Sequence, residues 1–383
     1  MRILFTSTPG LGHIHPMLPL ASALAARGHE VGWAVAPEGR SRVGSAGFET
    51  FAAGIGVAPR HAELARRHPE VLDLPPAQRP ERMFPILFAE IAAPPMLADL
   101  LPVMDRWRPA LLVHDAAELA GPVAAARAGV PNAAHSFGAL LPAPRVAAAA
   151  DEMAGLWRSV GLAPRPYAGC YDHLYLDIYP PSMRPGGDAH IGRLQPLRPV
   201  PVDEDGAGVG VAGAGAGRPL VYLTFGTLFN EPGPAFRAAV TGAAGHDVDV
   251  LVTVGPQGDP AALGPVPGNV TIERYVPQTR VLPACAAVVS HAGSGTFLAA
   301  LGMGIPQLCL PQAADQFINA AQGAASGAAI TLLPADASPE AVHAAVGRLL
   351  GEPAFAGAAR RVKAEIDAMP GPDEVAGVVE ALA

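Results

Sequence analysis

Short apolar segments alternate with helical segments along the chain, and this alternation restricts the fold more than any other feature. In the first half, strands are predicted at Ile3–Thr6, Val31–Ala36 and Ala110–His114, and Gly28 and Gly129 end helices between strands. Strands that are apolar along their whole length are buried on both faces, and helical connections make neighbouring strands parallel. The pattern therefore predicts an α/β protein with doubly wound parallel sheets.

The alternation begins again after a segment of low complexity. Residues 203–217 have an acidic start followed by Gly, Ala and Val, a composition typical of a flexible linker. A chain of 383 residues is also long for a single core. We therefore expect two Rossmann-like domains that face each other across a cleft, at residues 1–202 and 218–365, and a terminal helix within 366–383. The strands predicted for the second domain are Leu220–Phe225, Val250–Val254, Val270–Glu273, Ala286–Ser290, Gln307–Leu310 and Ala329–Leu332.

The composition argues against several classes of protein. The formal net charge is −8 and the 26 basic residues form no long run, so a nucleic-acid surface is not expected. The widely separated Cys170, Cys285 and Cys309 fit a reducing cytoplasm better than a disulfide framework or a zinc site. No apolar run of about 18 residues predicts a membrane span, and Met1–Thr8 lacks the features of a signal peptide. We expect a cytoplasmic protein.

The segment Ser290–Phe297 has the residues of a phosphate-binding turn. It is predicted to contain the end of a strand, a turn of small residues and the start of a helix, whose free N–H groups suit an anion. Asp315-Gln316 follows the next strand and could bind the hydroxyl groups of a ligand attached to that phosphate. A diphosphate joined to a hydroxyl-rich group indicates a nucleotide sugar. The candidate diphosphate ligands are Thr227, His291, Gly293, Ser294, Gly295 and Thr296.

Two residues near the ends of predicted strands are candidates for catalysis of sugar transfer. The attacking hydroxyl group needs a base, and His13, in the turn after the first strand, has the side chain best suited to accept a proton near pH 7. Asp115 follows the strand Ala110–His114, so the fold would place it at the same edge of the sheet. Its carboxylate would orient the imidazole and stabilise its cation, as in a Ser-His-Asp triad. A helix cap is the alternative role for each residue.

Five motifs in this order resemble the family 1 glycosyltransferases of the GT-B fold, and most closely the bacterial enzymes that glycosylate antibiotics of the macrolide or enediyne type and other natural products. The motifs are Gly10–Pro16, His114-Asp115, Phe225-Gly226-Thr227, Tyr275–Gln278 and the stretch 290–316. The resemblance implies that His13 is the base and Asp115 its partner. It also implies that Tyr275 and Val276 border the nucleobase, and that Asp315 and Gln316 hydrogen-bond the donor sugar.

The resemblance has further implications for the ligands. The family needs no metal, so no cofactor is expected beyond a nucleoside diphosphate sugar as co-substrate. Bacterial relatives favour a thymidine diphosphate donor, and a uridine diphosphate donor stays open. The family usually has glycine where Ala292 stands, a change between two small residues. In the family the terminal helix packs on the N-terminal domain.

The acceptor is expected to bind in the first half of the chain. Residues 60–96 are predicted to be irregular and are rich in Arg, Pro and bulky apolar residues, as binding loops often are. They would help to bind a hydrophobic aglycone, although each apolar side chain could equally belong to the core. A homodimer and a separate activator protein both stay open. The acceptor-binding candidates are Gly12, Met83, Phe84, Phe88, His135 and Phe137.

Three other functions fit parts of the sequence. Gly10–His15 lacks the third glycine of a dinucleotide fingerprint, which disfavours a nicotinamide-dependent reductase. A nucleotide-sugar 2-epimerase shares the two-domain fold but would need no apolar acceptor segment. A glycosyltransferase-like helper protein would be expected to lack His13, Asp115 or the donor loop. The sequence therefore predicts an inverting glycosyltransferase that moves a sugar or deoxysugar to a hydroxyl group of a hydrophobic natural product.

Overall fold

The computed structural model describes residues 1–202, 217–226, 233–255 and 258–383. These residues pack into two compact units. The N-terminal unit comprises Met1–Tyr179, Pro185–Arg198 and Met369–Ala383, and the C-terminal unit comprises Pro180–Arg184 and Pro199–Ala368. The linker predicted at 203–217 lies, apart from Gly217, outside the described residues.

The N-terminal unit contains a parallel sheet of seven strands in the order β3-β2-β1-β4-β5-β6-β7. The order in which the chain adds strands to the sheet reverses between β1 and β4, where Thr6 pairs with His114. Ligands of such sheets bind beyond the carboxyl ends of the strands at this reversal point. The strands are β1 Arg2–Thr6, β2 Glu30–Val35, β3 Glu49–Ala52, β4 Leu111–Asp115, β5 Asn132–His135, β6 Leu174–Asp177 and β7 Leu194–Pro196.

Helices cover both faces of this sheet. Apolar residues of the strands and of the inward helix faces form a core that includes Trp33 and Trp157, each with no exposed surface. The helices are α1 Leu11–Ile14, α2 Leu18–Ala26, α3 Pro37–Ser45, α4 Val57–Arg67, α5 Pro69–Leu72, α6 Arg79–Phe84, α7 Ala93–Trp107, α8 Ala120–Ala128 and α9 Ala143–Ser159, with a π-helical stretch at Pro85–Ala92.

The prediction that residues 60–96 are irregular is wrong, because most of this segment is helical. Pro69, Pro80 and Pro85 each stand in the first turn of a helical element, where the missing N–H group costs no hydrogen bond. The helical stretch Arg79–Trp107 also has the length and hydropathy of a membrane span, and 44% of its most apolar window is buried. Core helices of globular proteins have the same composition.

The C-terminal unit contains a parallel sheet of six strands in the order β10-β9-β8-β11-β12-β13. Predicted and observed strand ends differ by at most one residue, and the prediction of two parallel-sheet α/β domains is confirmed. The strands are β8 Leu220–Thr224, β9 Asp249–Thr253, β10 Val270–Glu273, β11 Cys285–Ser290, β12 Gln307–Cys309 and β13 Ala329–Thr331. The helices are α10 Pro234–Ala244, α11 Gln278–Val281, α12 Ser294–Gly302, α13 Gln316–Ser326, α14 Pro339–Gly351 and α15 Pro353–Ala368.

The last helix, α16 at Pro372–Glu380, packs against α2 within the N-terminal unit. Glu380 accepts hydrogen bonds from Nε and Nη2 of Arg27 at 2.6 and 2.7 Å, and its carboxylate lies 2.6 Å from Nε2 of His29. These bonds from Arg27 and His29 lower the pKa of Glu380 to about 2. The carboxylate of Glu380 therefore stays ionised near neutral pH and can pair with Arg27 at the end of α2.

Candidate functional site

His13 and Asp115 meet at the reversal point of the N-terminal sheet. The chain leaves β1 at Thr6, turns at Gly10 and forms α1, in which the N–H of His13 donates to the carbonyl of Gly10 at 2.9 Å. Nδ1 of His13 lies 2.8 Å from Oδ2 of Asp115. The His13 side chain is 20% exposed and that of Asp115 is 1% exposed. The pair thus has a buried carboxylate and an imidazole that reaches solvent.

The surroundings of Asp115 keep its carboxylate ionised. Burial raises the pKa of Asp115, but the nearby His13 and the N–H groups of Ala117 and Thr8 lower it by more, so the pKa lies below its usual range. Oδ1 accepts the N–H of Ala117 at 3.2 Å, and the hydroxyl of Thr8 donates to Oδ2 at 3.3 Å. An ionised partner at Nδ1 assigns the proton of neutral His13 to that nitrogen and leaves Nε2 as a proton acceptor.

Aromatic side chains surround the imidazole of His13. The ring of Phe137 lies 4.5 Å from it and the ring of Phe88 lies 6.3 Å from it, between centroids. The ring of Phe84 lies 4.9 Å from that of Phe88, between centroids and tilted by 45°, but Phe84 is itself buried in the core, and Met83 packs against another small apolar cluster. Phe88 and Phe137 are therefore the two aromatic candidates that adjoin the dyad.

His135 and Gly12 complete the residues predicted to bind the acceptor. His135 pairs with Asp115 across β5 and β4, which places both side chains on one face of the sheet. Burial lowers the pKa of His135 to about 4, so the ring is neutral at pH 7. Its Nδ1 donates to the carbonyl of Ser136 at 2.7 Å, and its buried Nε2 has no hydrogen-bond partner among the described residues. Gly12 is exposed, with open space around its Cα.

The predicted phosphate-binding turn connects β11 to α12 in the C-terminal unit. Gly293 precedes the helix in an extended conformation, and no side chain of the described residues caps the first turn of α12. The N–H groups of Ser294, Gly295 and Thr296 thus stand in the first turn, where an anion is favoured by the helix dipole.

His291 is held between two glycines. A Cβ atom at Gly226 would lie 2.8 Å from Cε1 of His291, and one at Gly293 would lie 2.5 Å from Nε2, so both positions require glycine. Burial lowers the pKa of His291 to about 4, and the ring is neutral near pH 7. It can therefore contribute a hydrogen bond but no charge to a bound diphosphate. Thr227 lies outside the described residues.

Asp315 belongs to a hydrogen-bonded network at the same turn. The hydroxyl of Ser294 donates to Oδ2 of Asp315 at 2.5 Å. Nδ2 of Asn319 is 2.9 Å from Oγ of Ser294 and 2.9 Å from the carbonyl of Ala292. Sequence reasoning missed Asn319, although its position one helical turn after Asp315 was a usable signal. The network connects the start of α13 to the start of α12.

Gln316 and the residues of the predicted nucleobase site also form hydrogen bonds or pack within the protein. Oε1 of Gln316 accepts the N–H groups of Gln312 and Ala313 at 2.8 and 2.9 Å, which leaves its Nε2 for a ligand. Val276 is buried in the core, so it can offer only backbone groups, whereas Tyr275 is half-buried. Gln278, the last residue of the Tyr275–Gln278 motif, had no predicted role; its Nε2 donates to the hydroxyl of Thr296 at 2.8 Å.

The backbone at Ala292 explains why glycine is the better residue there. Its φ is +63°, in the left-handed region that costs a residue with a Cβ about 1–2 kcal/mol. We expect Ala292→Gly to stabilise the C-terminal unit by about 1 kcal/mol and to raise its melting temperature in calorimetry. Ala321→Gly is the matched control, because Ala321 is exposed within α13 and the same change there should destabilise by about 1 kcal/mol. A lower melting temperature for Ala292→Gly would contradict the assignment of strain.

The described ranges contain no group of three or more His, Cys, Asp or Glu residues that could hold a metal ion. His15, two residues after His13, accepts the Nε–H of Arg42 at 2.9 Å. The pair of histidines in this motif is thus engaged separately, one with Asp115 and the other with Arg42.

Comparisons with known proteins agree with this arrangement. The family models "Erythromycin biosynthesis protein CIII-like", N-terminal and C-terminal domain, match residues 22–190 and 238–382. The chain is 34% identical to the elloramycin glycosyltransferase ElmGT of Streptomyces olivaceus, over 98% of this chain and 96% of that protein. It is 35% identical to the L-demethylnoviosyl transferase of Streptomyces niveus, over 98% and 97%.

A solved structure gives the same result. The glycosyltransferase VinC in complex with dTDP superposes with a TM-score of 0.82 at 28% identity, over 100% of this chain and 99% of that one. ElmGT and VinC are glycosyltransferases, the second relative is an L-demethylnoviosyl transferase, and the matching family models are named for erythromycin biosynthesis. The chain therefore belongs to the erythromycin biosynthesis protein CIII-like family and is a natural-product glycosyltransferase of family 1 with the GT-B fold.

Proposed function

We propose that this enzyme transfers a sugar or deoxysugar from a thymidine diphosphate donor to a hydroxyl group of a hydrophobic natural product, with inversion at the anomeric carbon. The observation that carries the proposal is the contact of 2.8 Å between Nδ1 of His13 and the buried carboxylate of Asp115. It leaves Nε2 of His13 as the acceptor of a proton, which is what an attacking hydroxyl group must lose.

In the proposed mechanism the imidazole removes the acceptor proton as the new glycosidic bond forms. The resulting cation is stabilised by ionised Asp115, which the N–H of Ala117 and the hydroxyl of Thr8 keep in place. Phe88 and Phe137 offer an apolar surface to the aglycone, and Nε2 of His135 is a hydrogen-bond acceptor on the same face of the sheet as Asp115. A base and a leaving group on opposite faces of the anomeric carbon produce inversion.

The leaving diphosphate gains negative charge as the anomeric bond breaks. Preorganised donors aimed at such charge often make the largest contribution to catalysis. The uncapped first turn of α12 supplies N–H groups, and the hydroxyl of Thr296 stands in the same turn. Tyr275 and the backbone of Val276 would border the nucleobase, and Asp315 and Nε2 of Gln316 would bind the sugar. No metal or cofactor is part of this proposal.

The donor nucleotide can be tested by thermal unfolding. We expect thymidine diphosphate to raise the melting temperature by mass action, equally in magnesium and in EDTA, and to do so more than the diphosphates of uridine, guanosine or adenosine. A larger shift with uridine diphosphate would show that the donor carries uridine diphosphate instead. No shift with any of the four would contradict the donor site and favour a helper protein.

Asp315 offers a test of the sugar contact. We expect Asp315→Asn to lower the affinity for the intact nucleotide sugar about tenfold, because the lost carboxylate would face the sugar. The affinity for free nucleoside diphosphate should change little. Titration calorimetry with both ligands measures the difference. Since Oδ2 of Asp315 also accepts the hydroxyl of Ser294, Ser294→Ala is the control for disturbance of the turn. Equal weakening of both ligands would refute the sugar contact.

A second candidate, the 2-epimerase, acts on the nucleotide sugar alone. It would require no separate acceptor, and the aromatic surface of Phe88 and Phe137 beside His13 would have no ligand. Incubation of the enzyme with the donor, followed by analysis of the sugar, separates the two functions. An epimerised nucleotide sugar formed without any acceptor would overturn the transferase.

A further inference from the structure

The position of Arg60 is not explained by the proposed function. Arg60 and Leu64 lie one turn apart on the inward face of α4 and are 5% and 0% exposed. The inward positions of an amphipathic helix are normally apolar, because an arginine is seldom fully buried without a partner.

The guanidinium of Arg60 has no ion-pair partner among the described residues. Within those ranges no carboxylate oxygen lies within 4.0 Å of it, and its buried Nε has no hydrogen-bond acceptor. The similarly buried Arg145 differs, because its guanidinium contacts the carboxylate of Glu81 at 2.5 Å. Burial lowers the pKa of Arg60, and the more distant charges of Asp115 and Glu38 raise it, yet an arginine stays charged in proteins. A buried cation without an ion pair destabilises the folded protein unless a bound anion compensates its charge.

Arg60 lines a cavity that adjoins the catalytic dyad. The cavity opens to solvent, its own volume is about 20 Å³, enough for one small polar group, and Thr8, Phe88 and Met96 also line it. Cζ of Arg60 lies 4.9 Å from the ring centroid of Phe88, and the ring of Phe88 lies 6.3 Å from the imidazole of His13, between centroids. The hydroxyl of Thr8 donates to Asp115. Phe88 and Thr8 thus connect the cavity to the dyad.

Glu118 also lines the cavity, but its carboxyl group forms no ion pair with Arg60. Its oxygens accept the hydroxyl of Thr6 and the N–H groups of Ala120 and Gly121. Burial raises the pKa of Glu118 to about 7, so its carboxyl group is partly protonated at neutral pH and opposes an incoming anion less than a full charge would.

We propose that Arg60 selects acceptors that carry an anionic oxygen, such as a carboxylate or an ionised enol, about one aromatic ring away from the hydroxyl group that receives the sugar. The proposal rests on the proposed function, because it assumes that this hydroxyl group binds beside His13. The terminal N–H groups of the guanidinium can bind a carboxylate, and apolar walls strengthen such a pair. Arg60 would thus determine specificity without taking part in the chemistry.

The test compares two probes that share the hydroxynaphthalene ring and differ in charge and in one methyl group, 6-hydroxy-2-naphthoate and its methyl ester. Titration calorimetry of the wild type should show the acid binding at least about tenfold more tightly than the ester. Arg60→Gln should remove this difference. Arg66→Gln should retain it, because Arg66 is exposed on the same helix and pairs with Glu63. Equal binding of acid and ester by the wild type, a preference that survives in Arg60→Gln, or failure of both probes to bind would each overturn the proposal.

Two further measurements distinguish acceptor selection by Arg60 from a role in donor binding or in packing. If Arg60 instead bound a phosphate of the donor, Arg60→Gln would lower the affinity for thymidine diphosphate, and the proposal would be wrong. If Arg60 only supported Phe88, Arg60→Met would lower the melting temperature and affect acid and ester alike, which would also overturn it. Because these assays measure binding, they are independent of turnover: loss of the base assignment for His13 would leave the preference for the acid unchanged.

Discussion

His13→Ala is expected to abolish sugar transfer, with kcat lower by about 10²–10⁴-fold, which is the usual contribution of a general base. The side chain contacts Asp115 through Nδ1, and its removal takes away the imidazole Nε2 that would accept the acceptor proton. Affinity for thymidine diphosphate should stay unchanged, because the candidate donor residues belong to the C-terminal unit. Initial rates with saturating donor and acceptor, together with nucleotide titrations, measure both quantities.

The matched control for this substitution is His61→Ala. His61 is an exposed histidine of the same unit, whose ring contacts the carbonyl of Val57 at 2.8 Å. It should retain the wild-type kcat. Near-normal turnover of His13→Ala would show that another group is the base, even if the enzyme remained a glycosyltransferase.

The second large effect is expected at Asp115. Asp115→Asn keeps the shape of the side chain but removes the charge that stabilises the imidazolium ion, so kcat should fall by about 10–100-fold, less than for His13→Ala. KM for the donor should change little. The acidic limb of the kcat/KM profile should move to lower pH, because the negative charge that favours protonation of the imidazole is gone.

The pH profile separates catalysis from folding. A role for Asp115 restricted to holding the turn through Ala117 and Thr8 would lower the melting temperature without moving the acidic limb. Asp115→Ala is the companion variant, since it removes those hydrogen bonds as well. A profile of Asp115→Asn that coincides with the wild-type profile after scaling would refute the electrostatic role.

Much of the fold follows from local sequence. Most strands of the C-terminal sheet are short runs rich in β-branched and aliphatic residues, so their positions were predictable to within one residue of their ends. The helices at residues 57–107 were not, because prolines and arginines concealed a helical period. Prolines in first turns do not interrupt a helix, and the buried side of α4 includes Arg60, a residue that hydropathy assigns to the surface.

The sequence by itself determined the family, the two parallel-sheet α/β domains and the candidate residues, because motifs at strand ends are local and their order is written along the chain. Only the tertiary structure decided which side chains meet. The contact of His13 with Asp115, the burial of Arg60 without an ion pair among the described residues, and the Ser294–Asp315–Asn319 network all depend on residues from different elements. Such arrangements follow from strand order and register, which bring together residues that no periodicity in the sequence relates.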